Sequence, residues 1–184
     1  MGLITRSIDV QEFTSVRGRM QATLWDAEAE ALLLDDPERL FSPHLHQQWV
    51  LRIDPWRDNK VVANEMAGFG NGLNLIRDFL RGSNPPYPTH VAWGTNGTAP
   101  AVGDQGLYAE RARTNILAVL PGDKQLTYAG FMGSTVGNGE TFQEAALVTG
   151  PRSSAWRIFA RIAMNPIAKN VSVLISVNWD ILLA

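Results

Sequence analysis

The chain has 184 residues, no cysteine, and 16 Lys and Arg against 18 Asp and Glu, for a formal charge of -2. A disulfide framework and a thiolate zinc site are therefore excluded, and so is a binder that neutralises nucleic-acid phosphates by bulk positive charge. The first dozen residues carry charges and lack the apolar stretch of a signal peptide, and no run reaches the roughly 18 apolar residues of a membrane span. The expectation is a soluble chain made in the cytosol, without nucleic-acid or membrane partners. On that expectation the sequons at Asn96 and Asn170 are chance matches.

Taken in order, Ser7 to Val16 alternates apolar and polar residues as an arm or edge strand would. Leu24 to Leu34 is rich in helix formers and is stopped by Asp35-Asp36-Pro37, which predicts one short helix. Residues 1–40 thus read as an arm plus a short helix, and 41–184 as the main domain. Ala67 to Gly82 predicts an amphipathic helix over 71–81, with Leu73, Ile76 and Leu80 on its apolar face and Gly82 as its stop. Ser83 to Pro88 is a stiff linker.

Thr89 to Arg113 begins as a buried strand, breaks into a Gly/Thr/Ala/Pro loop and recovers into a charged segment. Strands follow at 114–120, 125–132, 140–148, 156–163 and 171–181, separated by turns such as Pro121-Gly122-Asp123-Lys124. In 156–163 the alternation places Trp156, Ile158, Ala160 and Ile162 on one core face, and in 171–181 it is cleaner still. Roughly five to seven short strands with turns about every ten residues predict a mainly β fold. Its form is an antiparallel, jelly-roll-like β-sandwich with one or two short helices and an extended N-terminal arm.

Signatures of chemistry are weak. Gly68-Phe69-Gly70-Asn71-Gly72 has Leu73 where a dinucleotide-binding turn needs its last glycine. His44 and His46 would share a face of an extended segment, but spacing identifies no third ligand, so no metal and no cofactor is expected. There is no G-x-S-x-G, and Asp104, Glu110, Glu140 and Glu144 read as turn or strand-edge acids, so the chain is expected not to be an enzyme. Glu110 and Arg113 would form an ion pair if residues 104–111 made a helical turn. Six tryptophans are many for this length, and Trp25, Trp49 and Trp56, outside the alternating strands, are candidate partner-interface anchors. Trp93, Trp156 and Trp179 are the residues on which a carbohydrate-binding module would rely.

From about Asn71 to the C-terminus the chain resembles a family of structural proteins of tailed bacteriophage particles, seen as capsid decoration and fibre or tail-collar components. The marks are Gly72-Leu73 before a helix ending Leu80-Arg81-Gly82, then Val91-Ala92-Trp93-Gly94-Thr95 with Thr98-Ala99-Pro100. Asp104, Leu107, Glu110 and Arg113 follow, then Phe142 to Leu147, Pro166-Ile167-Ala168-Lys169, and Asn178-Trp179-Asp180-Ile181. The resemblance implies a non-enzymatic virion protein made in the host bacterial cytoplasm. A capsid decoration or cement protein on the outside of the shell is the leading expectation. It would associate as a homo-oligomer, a trimer in the first instance, with the major capsid protein as partner. Within it Gly94, Thr95, Asp104, Leu107, Glu110, Arg113, Lys169 and Trp179 would be structural. A tail-fibre, baseplate or neck protein is the alternative inside the particle, and a carbohydrate-binding adhesion module the alternative outside that class.

Overall fold

The structure is a computed structural model that describes residues 16–61, 65–66, 69–70, 72–82, 86–152 and 156–183. In chain order its elements are β1 (Val16–Asp26), α1 (Glu30–Asp35), β2 (Val50–Ile53), β3 (Arg57–Val61), β4 (Glu65–Met66), β5 (Phe69–Gly70) and α2 (Leu73–Leu80). They continue with β6 (His90–Gly94), β7 (Glu110–Gly122), β8 (Gln125–Met132), β9 (Thr141–Val148), β10 (Ile158–Ala168) and β11 (Val173–Leu183). The fold is mainly β and antiparallel, as the alternating strands predict.

The main sheet runs β11-β8-β7-β6-β9-β10-β3-β1-β2, and a further β1–β11 ladder closes eight of these strands into a ring. That ring is flattened into two layers. β1, β11 and β8 form one layer and β6, β9 and β10 the other. The long β7 turns one corner, pairing with β6 through Glu110–Asn115 and with β8 from Ile116 onward. The short β3 turns the other, pairing with β1 and β10. The spatial order β9-β6-β7-β8 is a Greek key. β4 and β5 form a separate two-stranded hairpin.

The interior is filled by alternate residues of both layers, among them Met20, Val91, Trp93, Phe142, Leu147, Ile162, Val177 and Trp179. Trp93 and Trp179 are wholly enclosed, and the indole N–H of Trp93 donates to Thr114 Oγ1 at 2.9 Å. At Gly130 a Cβ would collide with Val91 of the opposite layer, so glycine lets the layers approach there. α2 closes one end, with Leu75 buried and Ile76 packed on the core. The apolar face expected from Leu73, Ile76 and Leu80 is thus rotated, leaving Leu73, Phe79 and Leu80 exposed.

Two boundaries differ from expectation. Residues 7–15 lie outside the described residues. Residues 16–26 are not an arm: β1 pairs with β11 along all eleven of its residues and also meets β3 and β2, so it belongs to the ring. The predicted helix at Leu24 to Leu34 begins later because Trp25 and Asp26 complete that ladder. The Asp26 carboxylate then accepts from Glu28 N–H at 2.9 Å and opens a 3-10 turn into α1. Residues 27–49 lie over the outer face of the β1–β11–β8 layer, where Trp25, Ala29, Leu33, Leu40, Phe131 and Leu174 form a second core.

Replacing the enclosed Trp179 with alanine should cost about 3–5 kcal/mol, whereas Trp56→Ala at the surface should cost far less. Chemical denaturation midpoints of the two variants test the difference.

Candidate functional site

The stretch that begins at Thr89 continues from β6 into a loop over residues 95–109 before β7 starts. Loops carry their own backbone N–H and C=O groups, which must be satisfied wherever the loop lies on protein. Beneath it, the outer face of the β6–β9–β10 layer is made of small apolar residues, Ala92 and Ala146, with Val148 and Ile158. Two charged side chains rise among them. Arg161 from β10 and Glu144 from β9 are both fully buried, and Asp104 from the loop comes down to meet them.

The guanidinium of Arg161 donates from Nε and Nη2 to Glu144 Oε2 at 3.0 and 2.8 Å. It also donates from Nη1 to Asp104 Oδ2 at 3.0 Å and from Nη2 to the carbonyl of Thr98 at 2.9 Å. Glu144 in turn accepts from the backbone N–H of Ala109 at 2.9 Å and of Tyr108 at 3.3 Å. Asp104 accepts from Ala101 N–H at 2.9 Å and from the Tyr108 hydroxyl at 3.2 Å. The Tyr108 ring lies against the Arg161 guanidinium, 4.5 Å from centroid to Cζ. One arginine and two carboxylates thus fix the loop at its start, middle and end. Gly94 is required beside them, since a Cβ there would strike the Glu144 carboxylate and approach the Ala109 carbonyl to 2.8 Å.

A second ion pair lies on the same outer face. Arg113 donates to Glu110 from Nε at 3.0 Å and Nη2 at 2.7 Å, and from Nη1 to the Gly150 carbonyl at 2.7 Å. The predicted pair is present, but it is not helical. Glu110 and Arg113 are both in β7, where residues three apart would face opposite sides. A register shift between Trp93 and Gly94 opposes Glu110 to Gly94 and Ala112 to Trp93, and this bulge brings the two side chains to one face. Trp156 stacks on Arg113, 4.2 Å from centroid to Cζ, and touches the place where a Gly106 Cβ would be. His90 sits beside this pair, with Nδ1 2.7 Å from Thr89 Oγ1. Burial first, and then the Arg113 charge, hold its pKa below the usual 6.5.

Of the residues singled out in sequence, Gly94, Thr95, Asp104, Leu107, Glu110 and Arg113 converge on this face. Thr95 donates its N–H to Ala109 O at 3.0 Å and accepts from the Gln143 amide through its carbonyl. Leu107 packs on the apolar floor. Lys169 stands apart, buried at the turn after β10, with Nζ donating to Asn138 Oδ1 at 3.0 Å and Asn170 O at 2.8 Å. Burial lowers its pKa, with Glu30 acting in the opposite sense. Trp179 belongs to the interior.

Among the proposed anchors, Trp25 is fully enclosed and donates to Ser176 Oγ at 2.8 Å, so it builds the second core instead of offering a surface. Trp49 is half-buried against that core, and Trp56 is exposed with the Arg19 guanidinium over its ring. Trp93 and Trp179 are enclosed and offer no face to a sugar, and Trp156 is half-buried with the Arg113 guanidinium over its ring. His44 is in a 3-10 turn, not an extended segment, and His46 lies against Trp49 with ring centroids 6.5 Å apart. The glycine run at 68–72 falls partly outside the described residues.

The sequence patterns do not single out Arg161 or Tyr108, and Glu144, expected to be a strand-edge acid, is instead fully buried. One signal was available. Opposite charges within two largely apolar strands, at Phe142 to Val148 and Ile158 to Ile162, point to mutual burial.

Arg161→Met should cost about 3–5 kcal/mol by leaving two buried carboxylates without their cation. Making the set apolar, with Asp104→Leu, Glu144→Leu and Arg161→Met together, should not restore stability. Three loop N–H groups and the Thr98 carbonyl lose their partners; denaturation of both variants checks this. A histidine whose pKa is lowered on folding favours the folded state above about 6.5 and opposes it below. The loss of stability from pH 7 to pH 5 should accordingly be smaller in His90→Gln than in the parent, measured by denaturant titration at each pH. In comparisons with known proteins, no family model, curated protein or solved structure matches this chain.

Proposed function

We propose that this chain is a non-enzymatic structural component of a tailed-bacteriophage particle, a decoration protein on the outside of the shell. The observation that carries this reading is the use to which its charged residues are put. Asp104, Glu110, Arg113, Glu144 and Arg161 hold a loop rigidly on a sheet and are spent on one another and on backbone groups. The resemblance of residues 71–184 to virion proteins supports the same reading. A body of this kind works by shape and surface. Its partners are the major capsid protein and further copies of itself, as a trimer, and its place is the virion.

The surface for such contacts is at β2, the terminal strand of the main sheet among the described residues, where Leu51 and Ile53 are exposed, with Leu45 before it and Trp56 after it. In an assembly of many copies, contacts of modest area add through multivalency. The N-terminal residues ahead of β1 supply a further grip on the shell.

Separated heads and tails of the particle, analysed by mass spectrometry, should hold the chain in the head fraction. Recovery in the tail fraction would replace decoration with the fibre, baseplate or neck reading, and absence from both would end the virion proposal. Deleting residues 1–15, which spares β1, should leave the barrel folded by circular dichroism and weaken binding to undecorated shells.

A further inference from the structure

One end of the barrel carries an apolar groove of about 270 Å³ between α2, the Pro86–Pro88 segment and the mouth of the ring. Ile76 and Phe79 of α2 form one wall, Tyr87 another, and Leu126, Tyr128 and Ile181 the floor. Phe79 is 68% exposed and Tyr87 73%, with Leu80 beside them at 58%. Three large apolar side chains together on one rim form a surface that a soluble protein covers.

The ladders say which part of the chain is nearest. Val16, the first residue of β1, pairs with Leu183, Leu182 pairs with Gln125, and Ile181 pairs with Leu126. β1 therefore starts at the same end of the barrel as the groove, within a few residues of its floor. Fifteen residues precede it, with Leu3, Ile4, Ile8, Val10 and Phe13 among them. Ten residues can span about 33–36 Å when extended, enough to cross a groove of this size. The segment's sequence includes Asp9 and Glu12, and the end of the barrel with the groove carries Arg81 and Lys124. Because it is tethered beside the groove, its local concentration there far exceeds that of any other copy in dilute solution.

We propose that the groove is the seat of the chain's own N-terminal segment in the free protein, with the apolar side chains of residues 3–13 covering Phe79 and Tyr87. This holds whatever the partner is, and so does not depend on the place of the chain in a particle.

The absence of cysteine makes the test direct. In the full chain carrying Phe79→Cys, the thiol should react slowly with a soluble aromatic disulfide. Adding Ile8→Asp, Val10→Asp and Phe13→Asp should speed that reaction about tenfold, the response of a covered site that opens. A cysteine at Asp123, on the β7–β8 turn, should react at the same rate in both backgrounds, which separates uncovering from unfolding. Equal Phe79→Cys rates with and without the three aspartates would overturn the proposal. Protection that disappears on dilution would overturn it in favour of a second copy as the occupant. Either outcome leaves the particle assignment untouched, since that stands on fractionation of heads and tails.

Discussion

The position of the 95–109 loop depends on Arg161. Burying a guanidinium costs several kcal/mol in lost hydration, and the cost is offset only where geometry and hydrogen bonding are nearly complete. Here Nε, Nη1 and Nη2 all donate, to two carboxylates and a carbonyl. A lone arginine and glutamate would leave lone pairs unused. Asp104 and Glu144 fill theirs with loop N–H groups, so the same atoms that neutralise the cation also satisfy the loop backbone. This coupling explains why the outer face of the layer is built from Ala92 and Ala146 and why Gly94 has no side chain. The charged layer needs depth, and larger residues would lift the loop off the sheet.

The two outer faces of the barrel are covered by different physics. Over β1, β11 and β8 the cover is the turn-rich segment 27–49, held mainly by apolar contacts of Leu33 and Leu40 with Trp25, Phe131 and Leu174. Its polar ties are few, among them the Asn178 amide donating to Leu40 O at 2.7 Å and Ser134 N–H donating to Glu30 at 3.0 Å. Over β6, β9 and β10 the cover has little apolar surface to offer and is fixed by ions instead. Apolar contact tolerates small displacement, whereas a three-group ionic set with directed hydrogen bonds does not. The loop side is therefore the stiffer of the two.

The strands were legible because period-two alternation survives wherever one face is buried: β8 and β9 fall close to their predicted spans, and β11 within two residues. What alternation could not show was the bulges. In β10 a register shift between Ile158 and Ala160 turns Ile158 outward with Trp156, while Ala160 and Ile162 face inward, so the single core face read from sequence is split between two cores. The shift in β7 likewise replaced a supposed helical turn by a strand that still pairs Glu110 with Arg113. β1 does alternate, with Met20, Ala22 and Leu24 facing one core and Gln21 and Thr23 between them, while Trp25 faces the other core. Its end is hidden in sequence because Leu24, Trp25 and Asp26 run without a break into the helix formers of residues 27–34, so the whole stretch reads as one helix. The charged clip was half visible, with Asp104 and the pair at 110 and 113 marked. Its centre, Arg161, looked like an ordinary polar residue on an alternating strand.

Closure of the ring decides what surface remains for other molecules. A closed sheet has no free edges, and here β2 is the strand that stands outside the circuit, paired to β1 on one side. The layer faces are occupied by the loop and the turn segment. Exposed apolar groups are accordingly concentrated at the β2 edge and at the end capped by α2. The charges over the β6–β9–β10 face hold the chain's own loop, and most of the exposed large apolar side chains lie at that edge and that end. Where those side chains gather is set by the topology as much as by any single residue.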